Sequence, residues 1–235
     1  LLFLGGSGPS NVIQYVEFDS KGNAADFGDL TASARSTGGH GNDTRGLRGG
    51  GADPSATNVI DYVTYATVGD ATDFGDLTSA RQQAMASGSN TRTVFGGGFS
   101  VTDIIDYVTT ASTGNATDFG DLSVARNGGA SVSSTTRSVF GGGATPSNSN
   151  VIDYVTIGST GNATDFGDLS VARQSIGARG SNQTRGIFCG GSSPSDSNVI
   201  DYITIGSTGN AADFGDLVTA RRGTGGYSNG HGGLS

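Results

Sequence analysis

Carboxylates are the residues of this chain with the most chemistry in them. There are 21 acidic residues, Glu17 being the only glutamate, and two histidines, His40 and His231. Two carboxylates across a cleft, one held protonated, can hydrolyse a glycosidic bond, which would make Glu17 the candidate acid. The acidic residues are periodic, however. Asp-Phe-Gly-Asp-Leu occurs five times, starting at Asp26, Asp73, Asp118, Asp165 and Asp213. Asp61, Asp106, Asp153 and Asp201 stand in an Ile-Asp-Tyr motif. Arginine follows alanine at Arg35, Arg81, Arg126, Arg173 and Arg221, and follows threonine at Arg45, Arg92, Arg137 and Arg185. Groups that recur in every unit are expected to be scaffold, pairing within and between units, because an unpaired buried charge is costly. The rival reading is a ring of equivalent ligand sites.

Other chemistries are poorly served. Gly-Asn-Ala-Thr-Asp-Phe-Gly-Asp clusters oxygen donors that calcium would accept, but the spacing is not that of an EF-hand loop. Asn and Asp stabilising a turn is the simpler account. Two histidines make a poor zinc site, and no Ser-His-Asp spacing stands out. The glycine runs lack the Lys and Ser/Thr of a phosphate loop. The single cysteine, Cys189, allows no internal disulfide. The expectation is therefore a chain without catalytic residues or cofactor, calcium being the one cation the pattern admits. A formal charge of -8 with a single lysine, Lys21, argues against a nucleic-acid groove. No run of 18 apolar residues spans a membrane.

Recognition is then expected where the periodicity breaks. The segments after the glycine runs differ between units: 7–10, 52–57, 99–102, 144–149 and 192–197. Phe99, Arg179, Tyr227, His40 and His231 are off-pattern and form the candidate ligand-binding set. Loops on a rigid scaffold are the usual place for such residues.

The elements that would position them can be read from the repeat. Successive Asp-Phe-Gly-Asp-Leu motifs lie 47, 45, 47 and 48 residues apart. Each unit holds a β-branched run such as Val151-Ile152-Asp153-Tyr154-Val155, a glycine-rich turn, a short strand around Phe166, a segment of small residues and an apolar run ending in glycines such as Ile187-Phe188-Cys189-Gly190-Gly191. No window shows a 3.6-residue period, so the class is all-β. Four short strands per unit and five units predict a five-bladed β-propeller with antiparallel blades, a single domain over residues 1–235. The small-residue segments, 36–42, 82–90, 127–134, 174–182 and 222–230, are expected innermost, where a tight axis admits only small side chains. They also give a place to much of the glycine, 42 residues in all. The last unit lacks a glycine strand and Phe3-Leu4-Gly5-Gly6 supplies one, so the ring is expected to close by the N-terminal strand completing the C-terminal blade.

Ala172-Arg173, the small-residue strand, Gly190-Gly191, Tyr202 and Phe214 together resemble the kelch repeat, with Phe in all five units where kelch carries Trp. The wording Ser-Thr-Gly-Asn-Ala-Thr-Asp-Phe-Gly-Asp-Leu also resembles repeats of structural and tail-fibre-like proteins of marine bacteriophages, cyanophages especially. That resemblance covers nearly the whole chain. It implies a non-enzymatic structural or host-attachment module of a virion or extracellular appendage, with other virion or appendage proteins as partners. A lectin-like propeller binding cell-surface glycans is the alternative, and a glycoside-active enzyme a second.

Overall fold

The computed structural model describes residues 2–4, 8, 10–17, 21–223 and 225–226. All its regular structure is β, with no helix among the described residues. The first sheet has the strands β1 (Leu2–Leu4), β2 (Ser10–Tyr15) and β3 (Ala25–Ala34). The second holds β4 (Gly38–Gly41), β5 (Arg45–Gly49), β6 (Val59–Thr64) and β7 (Thr72–Asp76). The third holds β8 (Met85–Gly88), β9 (Arg92–Gly96), β10 (Ile104–Thr109) and β11 (Thr117–Asp121). In the fourth, β12 (Ala130–Ser133) and β13 (Arg137–Gly141) are followed by a two-stranded hairpin, β14 (Ala144–Thr145) and β15 (Ser147–Asn148), and then by β16 (Val151–Thr156) and β17 (Thr164–Asp168). The fifth holds β18 (Ala178–Ser181), β19 (Arg185–Cys189), β20 (Val199–Thr204) and β21 (Ala212–Asp216). Within each sheet the strands are antiparallel and lie in chain order.

The first strands of the four-stranded sheets are shorter than the small-residue segments suggest. Their cause is a left-handed residue just upstream, which breaks the extended backbone: Ser36 (φ 55°), Gln83 (59°), Gly128 (64°) and Ser175 (52°). Gly223 shares the conformation at 64°. The rest of the fifth segment, residues 224 and 227–230, lies outside the described residues, as do Tyr227 and His231 themselves.

The apolar core lies between sheets. One buried cluster joins Leu47, Ile60, Phe74 and Leu77 of the second sheet to Ala86, Phe95 and Val108 of the third. Equivalent clusters join the third sheet to the fourth through Phe119 and Val155, and the fourth to the fifth through Phe166 and Ile203. A smaller one joins the first to the second through Phe27 and Val63. Strands buried on both faces follow directly from this stacking. Inside each four-stranded sheet a column of three side chains repeats. Arg92 lies 4.5 Å above the ring of Tyr107, which meets Phe119 edge-on at 5.6 Å. Such cation–π and edge-to-face contacts are worth roughly 0.5–1.5 kcal/mol each.

Candidate functional site

Two constellations stand out once the sheets are in place: a polar joint repeated between sheets, and a face of variable loops.

The joint begins with the turn after the third strand. The Gly114 amide donates to Phe74 O at 2.7 Å, and the Ala116 amide to Asp76 O at 2.7 Å. The side chain of Asn115 accepts from the Asp76 amide at 3.1 Å. The turn of the third sheet thus continues the outer edge of the second. The same bonds recur from Gly161, Asn162 and Ala163 to Phe119 and Asp121, and from Gly209, Asn210 and Ala211 to Phe166 and Asp168. At the first joint Gly69, Asp70 and Ala71 take these places on Phe27 and Asp29. A glycine in the strand beneath makes room. A β-carbon on Gly75, φ +139°, would fall 2.5 Å from the backbone of Gly114. The asparagine oxygens that suggested calcium are therefore acceptors for amides of the neighbouring sheet. Among the described residues no three His, Cys, Asp or Glu come together to hold a metal ion.

The second part of the joint is a buried charge pair. Arg81 Nη2 lies 2.8 Å from Asp106 Oδ2, both side chains at most 1% exposed. The same guanidinium donates to Phe95 O at 3.2 Å and to Ser79 Oγ at 3.2 Å. Asp106 also accepts from Thr78 of the preceding sheet, its hydroxyl at 2.6 Å and its amide at 3.2 Å. Arg126, Asp153 and Ser123 repeat this arrangement, as do Arg173, Asp201 and Ser170. Each aspartate thus ties a hydroxyl of one sheet to a guanidinium of the next. Burial pulls the guanidinium pKa of Arg81 and of Arg126 below its ordinary value, and the charge of Asp106 or Asp153 works against that shift.

The periodic residues divide accordingly. Arg81, Arg126 and Arg173 are buried in ion pairs, whereas Arg35 and Arg221 are exposed. In the second sheet Arg48, which stands where Phe95, Phe140 and Phe188 stand in the later sheets, pairs with Asp61 instead of Arg35. The aspartates in these pairs are those of Ile-Asp-Tyr. Asp26, Asp73, Asp118, Asp165 and Asp213 are exposed on the outer strands, each paired with the adjacent strand of its sheet. The expectation of charge pairing thus holds for one aspartate set and is corrected for the other. The difference is burial: Asp61, Asp106, Asp153 and Asp201 are at most 1% exposed, whereas the aspartates paired with them across the ladder are exposed.

The loops after the glycine runs are held against the next sheet. Gly98 N donates to Arg126 O at 2.9 Å, and Arg126 N to Thr102 O at 3.2 Å, with equivalents around Gly51, Gly143 and Gly191. These loops therefore share a face with the segments that carry Arg81, Arg126, Arg173 and Arg221. Phe99 lies there, 50% exposed, with its amide on Gln82 O at 2.8 Å. Val101 beside it is 39% exposed and left-handed at φ 59°, a conformation that costs a β-branched residue of order 1–3 kcal/mol. His40 is elsewhere. It sits in β4, half-buried, with its ring facing Gly88 at the far end of β8 from Gln82. Arg179 in β18 pairs through its backbone with Phe188. Phe99 and His40 are thus not brought together. Glu17 borders a shallow hollow of about 310 Å³ with Tyr15, Lys21 and Asn23, and among the described residues it is the only carboxylate there.

Several joint residues were not singled out from the sequence: the hydroxyls of Thr31, Thr78, Ser123 and Ser170, and Arg48. A signal existed for the hydroxyls, since each follows the Leu of Asp-Phe-Gly-Asp-Leu.

A scan against protein-family models finds none that matches the chain, and no curated protein matches it.

Proposed function

We propose that the five units are blades of a kelch-like β-propeller and that it works as a non-enzymatic structural or attachment module of a virion or extracellular appendage. One observation carries the reading: most of the buried recurring charges are occupied in joints between sheets, while sequence variety gathers on one face of rigidly held loops. Polar residues held in the joints are unavailable for catalysis. A hydrophobic pair, Phe99 and Val101, projects from the variable face, and apolar residues exposed on a loop are suited to contact with another protein. The repeated joints give the array stiffness, which suits a surface that presents contacts.

The test is immunogold labelling of intact particles and cells of the source with antibody against the chain. Label on the outer surface of particles or appendages is the expected result, and label confined to the cell interior would contradict it. Phe99→Asp is expected to lower retention of the chain on those particles at least fivefold without shifting its melting temperature. Unchanged retention would remove Phe99 from the contact.

A further inference from the structure

The four described joints define what a fifth would look like, and both halves of a fifth are present and open. Its strand half is β21. Phe214 there is 52% exposed, whereas Phe27, Phe74, Phe119 and Phe166 at the same place are 2–4% exposed. A β-carbon on Gly215, φ +136°, would meet nothing within 4 Å, whereas on Gly28, Gly75, Gly120 and Gly167 it would strike the backbone of the docked turn at 2.5 Å. Val218, next to this edge, is fully exposed. The turn half is residues 21–25 of the first sheet. Gly22-Asn23-Ala24 repeats the Gly-Asn-Ala of the docking turns at 114–116, 161–163 and 209–211.

The polar core of the joint changes on both sides at once. Val218 takes the place of the hydroxyl residues Thr31, Thr78, Ser123 and Ser170. Gln14 takes the place of their carboxylate partners, since it pairs with Asp26 across the ladder as Asp106 pairs with Asp118. A side chain that cannot donate a hydrogen bond faces one that carries no charge, which suits two positions meeting each other and leaves no buried carboxylate unpaired.

We propose that the outer face of β21 docks the 21–25 turn of the chain's own first sheet, closing the array through a fifth joint built without the ion pair of the other four. The inference rests on the propeller reading. The direction of closure comes from the stacking: first strands pack directly, β4 on β8, β8 on β12 and β12 on β18, while outer strands are held apart by a turn. Wedge-shaped joints of one kind bend the succession of sheets back on itself. Joining within the chain also spares the loss of a second molecule's freedom.

The experiment compares Gly215→Ala with Gly167→Ala by thermal denaturation, alongside the mass of the unmodified chain by light scattering over a hundredfold dilution. Both glycines have nearly the same φ, so backbone strain cancels and the difference reads the docked turn. Equal falls in melting temperature, with a monomeric mass throughout, are expected. A fall for Gly215→Ala less than half that for Gly167→Ala would overturn the fifth joint, and a dimer that dissociates on dilution would assign the turn to a second copy and overturn closure within the chain. No fall for Gly167→Ala would instead overturn the propeller reading itself. If Gly167→Ala does not fold, Asn23→Ala and Asn210→Ala serve the same comparison: equal falls support the joint, and a neutral Asn23→Ala overturns it.

Discussion

At the residue scale the molecule depends on a few buried polar contacts repeated between sheets. Asp153 is held by Arg126 at 2.9 Å and by the hydroxyl of Ser123 at 2.6 Å, with no exposed surface. Replacing such a pair by apolar residues can be harmless, but removing one partner leaves a charge buried alone and costs about 3–5 kcal/mol. Asp153→Ala is expected to lose that much in urea denaturation, and a loss under 1 kcal/mol would show the pair to be dispensable. Tyr65 gives a pH signature. The residue is 42% exposed, but its hydroxyl lies over Gly41, and desolvation there, helped by the charge of Asp43, pushes the phenol from 10.0 up to about 12. A phenol that holds its proton more tightly when folded adds stability that is full below pH 10 and is lost as pH rises through about 12. Absorbance titration at 295 nm should therefore show one tyrosine ionising later than a free phenol, and Tyr65→Phe should remove it. That periodic Asp and Arg serve as scaffold was legible in the sequence. Which aspartate pairs was not, because both sets recur with the same period and only burial in the assembled fold separates them. The move of the guanidinium from Arg35 to Arg48 was hidden for the same reason: residues 13 apart meet Asp61 only after β5 and β6 align.

At the element scale the strands were legible and the turn was half legible. β-Branched and aromatic content marks β6, β10, β16 and β20 plainly. The Gly-Asn turn has the composition of a local turn, yet its hydrogen bonds reach strands 39–42 residues earlier. Turn signals in a sequence report backbone conformation and carry nothing about a distant edge. This predicts an asymmetry between a strand glycine and a turn glycine of the same sheet. Gly120→Ala would place a methyl group 2.5 Å from Gly161 backbone, whereas at Gly114, φ +151°, the space is open. Gly120→Ala is expected to lower the melting temperature by several degrees more than Gly114→Ala. Equal effects would mean that strain alone, not the docked turn, governs both. The shortened first strands show the complementary limit: small residues read as one extended segment, and nothing in their composition marks Ser36, Gln83 or Ser175 as left-handed.

At the scale of the whole molecule the count of units and their order were legible because the period is long and the motifs are nearly invariant. The site was less so. Of the residues singled out as off-pattern, Phe99 lies on the variable face and His40 at the other end of the neighbouring strand, so sequence irregularity alone did not distinguish a loop position from a packing position. The central claim is that one joint, repeated, brings the last sheet back to the first. A disulfide tests it most directly. With Cys189→Ser to remove the native thiol, Asp216→Cys and Asn23→Cys stand where Asp168 and Asn210 stand in the fourth joint, bonded at 3.1 Å. Cysteines bridge only when their α-carbons come within about 7 Å. Mild oxidation of the double variant should give a monomeric, intrachain cross-link in a yield close to that of the Asp168→Cys/Asn210→Cys control. A free thiol pair, or cross-linked dimers, would contradict the ring.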